Sequence, residues 1–467
     1  MPTRSLILLA GVLAGLTLAA PGTLAQRAPR PTPLQRAYQA AADSLITAAL
    51  ADSAAWQRIA ELGDRFGPRF SGSEGLERAI DWIMAEMRRD GLENVRGEPV
   101  MVPRWVRGEE SAELMGPRWA RLPMLGLGGS IGTPPGGIMA EVLVVGSFDE
   151  LRARAAEARG RIVLFDVPFT SYGETVQYRT TGAIEAARAG AVASMIRSVG
   201  PFGMQTPHTG SMRYDSTVTR IPHFAITLED AMMLRRMQGR GERITVRVQM
   251  AAQTLPHVES RNVIGEIRGR ERPEEVVVFG GHIDSWDVGT GATDDGGGVV
   301  VAWEAVRLMH RLGLRPRRTI RVVGWTNEEN GLRGGNAYRD QHRAQLANHV
   351  LAIESDGGVF RPTGFGFTGS DSARALVRQV AGLLQRVGLG PDNIGASGGG
   401  ADIGPIMAEG VPGMGHQVDG TRYFWYHHTH ADTVDKLDPR EVAMNVAAMA
   451  VMAYVIADMP ERLPRGR

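Results

Sequence analysis

The C-terminal part of the chain alternates apolar, β-branched runs with helical patterns, and this alternation constrains the fold most. Apolar runs occur at Val276 to Phe279, Thr319 to Trp325 and Val350 to Ile353, and helical spacing occurs at Val299 to Leu312 and Ser372 to Leu384. Strands without a polar face belong in sheets that helices cover on both sides. The pattern therefore predicts an α/β fold with helices on both faces of the sheet.

Histidine and acidic residues follow the predicted strands directly. His282 comes after the first strand, Glu328 and Glu329 come after the second, and Asp356 comes after the third. Open α/β sheets place their functional sites at the carboxyl ends of the strands. These side chains are therefore expected to meet at one edge of the sheet.

A fourth cluster places two acids side by side among small residues. Asp294 and Asp295 stand in the stretch from Gly291 to Gly298, which leads into a helix. Adjacent carboxylates repel one another unless a cation or a proton relieves them. A helix-capping turn is the alternative interpretation, because Asp often precedes a helix. A dinucleotide-binding loop is not expected, since the acid at the sixth position of Gly289-x-Gly291-x-x-Asp294 would repel pyrophosphate.

The paired glutamates suit a division of roles. One of Glu328 and Glu329 can bind a metal, while the other takes a proton from a metal-activated water. Asp284 lies two residues after His282 on the same side of the strand. Its carboxylate is expected to hold the second nitrogen of the imidazole ring, and Asp284 is predicted to contribute to catalysis with Glu328. Each acidic pair has a solvated turn as its alternative.

Three histidines close the set of candidate donors. His427, His428 and His430 follow an aromatic segment that includes Tyr426. Neutral imidazole is the nitrogen ligand that zinc prefers, and the sequence contains no cysteine, so any zinc is expected to bind nitrogen and oxygen donors. Together the clusters predict two zinc ions that share a bridging carboxylate. A hydroxyl such as that of Tyr426 is expected to bind the substrate and stabilise the oxyanion.

The N-terminal residues are typical of a secretory signal. Arg4 precedes an apolar run from Leu6 to Ala20, and Thr23-Leu24-Ala25 ends a predicted signal peptide at 1–25. The run is shorter than the roughly 20 residues that a spanning helix needs, so a cleaved signal is favoured over the alternative of a retained membrane anchor. No later segment is expected to span a membrane. The predicted location is secreted or periplasmic. A net charge of +1 gives no reason to expect a nucleic acid or a membrane as partner.

A Gly- and Pro-rich stretch from Leu122 to Gly137 predicts a boundary between structural units. The elements that follow, as far as Val248, form a unit of their own. The expected division is an N-terminal part of the catalytic domain at 26–119, an inserted domain at 120–252, and the main part of the catalytic domain at 253–467.

The motifs HxD, GAxDDGGG, NEExGxxG and HxxxDT occur in this order along the chain. In this arrangement the sequence resembles the co-catalytic zinc exopeptidases of the bacterial aminopeptidase and glutamate carboxypeptidase type. The resemblance implies a three-layer αβα sandwich with a mixed, mostly parallel sheet. It also implies that 120–252 is a β-rich protease-associated domain, and that the protein forms a homodimer.

The resemblance also implies the role of each motif residue. One zinc is bound by His282 and Asp356 and the other by Glu329 and His428, with Asp294 as the bridge and Glu328 as the general base. His428 is preferred to His427 and His430 because the family ligand lies four residues before the acid of the DT pair, here Asp432. A non-proline cis peptide bond is implied between Asp294 and Asp295.

The expected function is that of a di-zinc exopeptidase acting on dipeptides or short peptides. The alternatives are an aminopeptidase acting on longer peptides and a non-catalytic binding ectodomain built on a peptidase-like fold. A serine hydrolase fits poorly, because Ser130 and Ser397 have the GxSxG spacing without the strand and helix that a nucleophile elbow needs.

The sequence constrains least which side chains bind the amino and carboxyl termini of the substrate. Arg422 and Arg333 are the candidates for a carboxylate clamp. The resemblance implies that the inserted unit walls the substrate cleft. Its Arg179, Tyr172 and His208 are candidates for substrate contact, and surface or packing roles are the favoured alternative.

Overall fold

The computed structural model describes residues 30–465, and the signal peptide expected at 1–25 lies outside the described residues. The described chain is a mixed α/β structure. Its α-helices are α1 Pro33–Leu50, α2 Ala54–Phe66, α3 Glu74–Arg89, α4 Phe148–Ala153, α5 Ala155–Ala158, α6 Tyr172–Arg188, α7 Leu228–Gly239, α8 Gly297–Arg311, α9 Arg333–His342, α10 Asp371–Ala381, α11 Gly404–Met407, α12 Tyr423–Tyr426 and α13 Pro439–Asp458. Its strands are β1 Glu93–Val106, β2 Glu110–Gly116, β3 Ala120–Leu122, β4 Met124–Gly126, β5 Ile138–Val145, β6 Ile162–Phe165, β7 Ala193–Arg197, β8 His223–Ile226, β9 Thr245–Met250, β10 Gln253–Ile267, β11 Arg272–His282, β12 Arg318–Trp325, β13 His349–Glu354, β14 Pro362–Thr368, β15 Ile394–Gly395 and β16 Gly413–Val418.

The first sheet has eight strands in the order β1-β10-β12-β11-β13-β16-β14-β15. Its centre is parallel, because β12, β11, β13 and β16 run in one direction. Antiparallel pairs lie on either side, where β10 joins β12, β1 joins β10 and β14 joins β16. The predicted α/β class and the mixed character of the sheet are confirmed.

The central strand β11 shows why helices cover both faces of this sheet. Val277 and Phe279 pack into a core that includes residues of α1, α8 and α13, whereas Val276 and Val278 pack into a second core with residues of α9 and α11. Successive strand residues point to opposite faces, so an unbroken apolar strand is buried only when both faces are covered.

The second eight-stranded sheet, in the order β3-β2-β9-β5-β6-β7-β8-β4, is built from the segment between β1 and β10. Its strands β5 to β8 are parallel, and α6 and α7 pack against them. The unit combines the expected strands with helices, because parallel strands need crossover connections, which here are helical. The unit also begins before the boundary expected at residue 120, since β2 pairs with β9.

The final long helix, α13, has the length and apolar composition of a membrane-spanning segment. Asp438 caps it by accepting hydrogen bonds from the N–H groups of Arg440 and Glu441, and Pro439 is its first residue. Within residues 30–465 it is the one helix long and apolar enough to cross a membrane, although no such segment was expected. Its side chains are instead buried in the core of the first sheet, among residues of α1 and α8.

Candidate metal centre

Three of the predicted metal ligands lie where central parallel strands of the first sheet end. His282 is the last residue of β11 and lies in register beside Trp325, the last residue of β12. Glu328 and Glu329 follow β12, and Asp356 follows β13. The strand register therefore brings these side chains to one edge of the sheet, as the sequence predicts.

Asp294 and His428 reach this edge from loops. Asp294 lies in the turn before α8, and its peptide bond to Asp295 is cis, as the family resemblance implies. His428 follows α12 with a φ of 61°. The N–H of Thr209, from the second-sheet unit, donates to the carbonyl of His428 at 2.9 Å. The segment around Thr209 therefore helps to fix the backbone of a candidate ligand.

Asp294 lies between the other four candidate ligands. Its Oδ1 is 3.1 Å from His282 Nε2, and its Oδ2 is 3.2 Å from His428 Nε2. On the first side, His282 Nε2 is also 3.5 Å from Asp356 Oδ1. On the second side, His428 Nε2 is also 3.0 Å from Glu329 Oε2. The five side chains thus form two donor groups that share one carboxylate.

In each imidazole, the contact that Nδ1 makes shows whether Nε2 has a lone pair free for a metal. His282 Nδ1 lies 2.9 Å from the carbonyl oxygen of Asp284, and His428 Nδ1 lies 3.2 Å from that of Thr209. A carbonyl accepts a hydrogen bond, so each neutral ring carries its hydrogen on Nδ1. Both Nε2 atoms then direct a lone pair at carboxylate oxygens, an arrangement that a cation between them would stabilise.

Buried oxygens without donors provide a direct test of whether a cation fits. Asp294 Oδ2, Glu329 Oε1 and Asp356 Oδ1 are buried and accept no hydrogen bond from the described residues. A buried carboxylate oxygen without a partner is costly. Donor separations of 3.0 to 3.5 Å are close to the roughly 3.3 Å between ligands on a tetrahedral zinc ion with bonds of 2.0–2.1 Å. The residues present therefore fit zinc.

The structure corrects the contact expected for Asp284. Its carboxylate Oδ1 is 3.7 Å from His282 Nδ1, and the main-chain oxygen of Asp284 accepts from the ring instead. The two carboxylate oxygens of Asp284 accept the N–H groups of Glu328 at 3.1 Å and Glu329 at 3.3 Å. Asp284 therefore holds the backbone of the glutamate pair, and it is fully buried behind the site.

Two further acids, to which the sequence analysis assigned no role, support the turn that carries Asp294. Asp432 accepts the N–H groups of Thr293 at 2.7 Å and Asp294 at 3.1 Å, and burial raises its pKa to about 6. Asp295 accepts the N–H of His282 at 3.0 Å and that of Gly298 at 3.1 Å. In the sequence, these two roles were indicated only by the positions of Asp432 in the DT pair and Asp295 in the DD pair.

Glu328 is a candidate for proton transfer. It borders the same cleft as Asp294 and Asp356 but contributes no atom to the close donor groups. Burial raises the pKa of Glu328 well above its usual range, and the nearby carboxylates of Asp356 and Glu329 add to this rise. A carboxyl group with a raised pKa can both accept and return a proton near neutral pH.

A cleft of about 330 Å³ opens onto the donor groups. Besides the acids and imidazoles, aromatic residues and one cation form its wall. Its lining residues are Tyr172, Arg179, Asp294, Glu328, Glu329, Asp356, Tyr423, Phe424, His427 and His428. Tyr172 and Arg179 come from α6, so the second-sheet unit forms one wall of the cleft. Of the two roles considered for these residues, the structure places them at the cleft and not on the outer surface.

Other residues considered for substrate contact lie outside this lining. Tyr426 has its ring 5.7 Å from Lys436 Nζ and packs against the core, whereas Tyr423, three residues earlier, lines the cleft. Arg422 lies 3.6 Å from Glu441, and Arg333, the first residue of α9, is not among the lining residues of the cleft. His208 is buried in the second-sheet unit and packs against Gly200.

Comparison with known proteins gives consistent relatives. Residues 262–453 match Peptidase family M28. The chain is 50% identical over 410 residues to carboxypeptidase Q of Mus musculus, covering 88% of this chain and 87% of that protein. It is 47% identical over 431 residues to carboxypeptidase Q of Xenopus laevis, covering 92% of each.

A solved structure agrees with the sequence relatives. The Peptidase M28 precursor from Shewanella amazonensis SB2B is 35% identical and superposes with a TM-score of 0.87 over 93% of this chain and 100% of that one. The family match at 262–453 contains every candidate ligand. This chain therefore belongs to peptidase family M28, among the homologues of carboxypeptidase Q.

Proposed function

We propose that this chain is a zinc exopeptidase that hydrolyses dipeptides or short peptides. The observation that most supports this function is the position of Asp294, whose two oxygens face different imidazoles at 3.1 and 3.2 Å. Membership of peptidase family M28, with carboxypeptidase Q as a relative, makes the chain a metallopeptidase. The complete donor set argues against the alternative of a non-catalytic binding ectodomain.

The donor groups suggest how the ligands divide between two zinc ions. His282 and Asp356 would hold one ion, Glu329 and His428 would hold the other, and Asp294, which lies between the two groups, would contribute an oxygen to each. When bound, such ions would polarise the scissile carbonyl and lower the pKa of a water molecule towards about 7. Asp284 has a positioning role, because it holds the N–H groups of the glutamate pair.

Glu328 and a cleft tyrosine perform the remaining chemistry. A carboxylate oxygen of Glu328 takes a proton from the attacking water and then gives it to the nitrogen of the leaving amine. Burial and the carboxylates of Asp294 and Asp356 raise the pKa of Tyr423 well above its usual range, so its hydroxyl remains a donor. We assign to Tyr423, in place of Tyr426, the hydrogen bond to the developing oxyanion.

The second-sheet unit and the N-terminal segment complete the proposal. The unit corresponds to the inserted protease-associated domain that the resemblance implies, and its wall over the cleft favours short substrates over the longer peptides of an aminopeptidase. Arg4 and the apolar run after it support export through a signal at 1–25. A homodimer is the association that the resemblance implies.

Metal removal tests this function. The zinc-loaded protein is expected to hydrolyse Ala-Ala, to lose at least 10²-fold of its activity when EDTA removes the metal, and to recover when zinc is returned. A serine-directed phosphonate should leave the activity unchanged. Full activity after EDTA treatment, with the loss of zinc verified by elemental analysis, would contradict the proposal, and inactivation by the phosphonate would favour the serine hydrolase.

A further inference from the structure

Arg179 is a buried cation without an anionic partner in the wall of the cleft. It is only 5% exposed, although it projects from α6 into the lining shared with the candidate ligands. In the part of the chain that the structure describes, no carboxylate oxygen lies within 4.0 Å of its guanidinium. Buried charges in proteins are normally paired, so this one calls for an explanation.

The hydrogen-bond partners of Arg179 are all uncharged. Its Nε donates to the carbonyl of Ser211 at 3.3 Å, its Nη2 donates to the hydroxyl of Tyr172 at 2.8 Å, and its Nη1 is 3.5 Å from the carbonyl of Thr209. These contacts fix the guanidinium but do not neutralise it. Gly210 makes room for the guanidinium, because a side chain there would collide with the Arg179 side chain.

The carboxylates of the site do not neutralise Arg179. Asp294, Glu329, Asp356 and Glu328 border the same cleft, but in the described chain none of their oxygens lies within 4.0 Å of the guanidinium. The positive charge of Arg179 is therefore unpaired. A ligand with a negative group at this position would therefore be favoured electrostatically.

Tyr172 supplies a second donor beside the guanidinium. Its hydroxyl oxygen accepts the hydrogen bond from Arg179, which leaves the hydroxyl hydrogen free to donate. Its ring stacks on Phe424 with centroids 5.1 Å apart, and this contact holds the hydroxyl at the cleft. An arginine fork with an adjacent hydroxyl is suited to a carboxylate.

We propose that Arg179 and Tyr172 bind the free α-carboxylate of the substrate, one residue beyond the scissile bond. Arg179 Nη1 is 3.4 Å from Nδ1 of His428, whose Nε2 faces the donor groups. One imidazole ring thus separates the guanidinium from the metal-facing atom, so a carboxylate held by Arg179 would lie beside the donor groups that face the scissile carbonyl. This assignment rests on the proposed function and restricts it to substrates with a single residue after the cleaved bond.

Two substrates that differ at the C-terminus test the proposed carboxylate site. Values of kcat/KM are determined for Ala-Ala and for Ala-Ala amide, which differ only in the C-terminal group, a charged carboxylate in the first and a neutral amide in the second. The wild-type protein is expected to prefer the free acid by about 30-fold or more, because a buried, hydrogen-bonded charge pair is lost with the amide. In Arg179→Gln this preference should fall to within a few fold. Arg422→Gln, which makes the same change at a 41% exposed arginine outside the cleft, should keep it.

Two additions keep the test decisive. Tyr172→Phe retains the ring and removes only the hydroxyl, so it should reduce the preference by an intermediate factor even if Arg179→Gln folds poorly. Equilibrium binding of Ala-Ala and its amide to zinc-loaded Glu328→Gln protein, with and without Arg179→Gln, measures the same preference without turnover.

The possible failures are distinguishable. If no protein hydrolyses either peptide but the binding preference depends on Arg179, the proposed function fails and the carboxylate site stands. If the wild type hydrolyses both peptides equally well, or if Arg179→Gln and Tyr172→Phe both keep the full preference, the carboxylate site is refuted.

Discussion

At the scale of single residues, interatomic distances distinguish His428 from the adjacent His427 as the candidate metal ligand. His427 Nε2 is 3.4 Å from Asp294 Oδ2, so this ring also approaches the bridging carboxylate. His428 is closer, reaches Glu329 at 3.0 Å and has its Nδ1 held by Thr209. Spacing from the acid of the DT pair favours His428 in the sequence, and the contacts support the same choice.

The role of Glu328 leads to a prediction. Glu328→Gln retains the size of the side chain and removes its ability to accept a proton, so we expect kcat to fall by about 10² to 10⁴-fold. Zinc content should remain two ions per chain, because Glu328 contributes no atom to the close donor groups. Steady-state kinetics and elemental analysis of the same preparation measure both quantities.

A matched variant controls for the chemistry of the substitution. Glu61→Gln makes the same change on an exposed surface, where Glu61 pairs with Arg65 of α2, and it should retain the wild-type kcat. Undiminished turnover by zinc-loaded Glu328→Gln protein would refute the role of Glu328.

Side-chain direction limits what the sequence predicts at this scale. Tyr423 and Tyr426 stand at the two ends of α12, and only packing decides that the first borders the cleft while the second lies beside Lys436. Similarly, Asp284 lies beside His282 as predicted, but hydrogen bonding turns its carboxylate towards the backbone of Glu328.

At the scale of elements, the predicted central strands agree well with those observed. The run from Thr319 to Trp325 corresponds to Arg318–Trp325, and the run from Val350 to Ile353 corresponds to His349–Glu354. Buried parallel strands have continuous apolar sequences with polar ends, which make them easy to locate. The long edge pair β1 and β10 was not predicted, because its side chains alternate between core and solvent and include many charges.

The tight packing of β11 against the turn before α8 gives an element-scale prediction. A side chain at Gly281 would collide with the carboxylate of Asp295, which accepts the N–H groups of His282 and Gly298. We expect Gly281→Ala to lower the free energy of unfolding of the metal-free protein by about 1–3 kcal/mol, as overpacking does, and to reduce zinc occupancy. Urea unfolding and zinc analysis measure these effects.

Gly239→Ala is the control for this substitution. Gly239 ends α7, and a methyl group there would have no neighbour within 4 Å. This variant should be neutral or more stable by about 0.4–1 kcal/mol, because alanine restricts the unfolded chain. Equal stability of the two variants would show that the contact between β11 and Asp295 is not tight.

At the scale of the whole molecule, the site is shared between the two sheets. Ser211 of the second-sheet unit donates to the carbonyl of Glu329 at 2.7 Å, and Thr209 contacts both the backbone and the ring of His428. The sequence predicts a separate unit in this region. It does not predict which face of α6 meets the cleft, because that depends on how the two units pack together. The sequence names Arg179, Tyr172 and His208 as candidates for substrate contact, and the structure places only the first two in the lining of the cleft.

The central claim is that Asp294 bridges two zinc ions. The most direct test is anomalous diffraction at the zinc absorption edge from crystals of the zinc-loaded protein. We predict two peaks about 3.5–4 Å apart on either side of Asp294, one contacting His282 and Asp356 and the other contacting Glu329 and His428. A single peak, or two peaks that do not share Asp294, would contradict the claim.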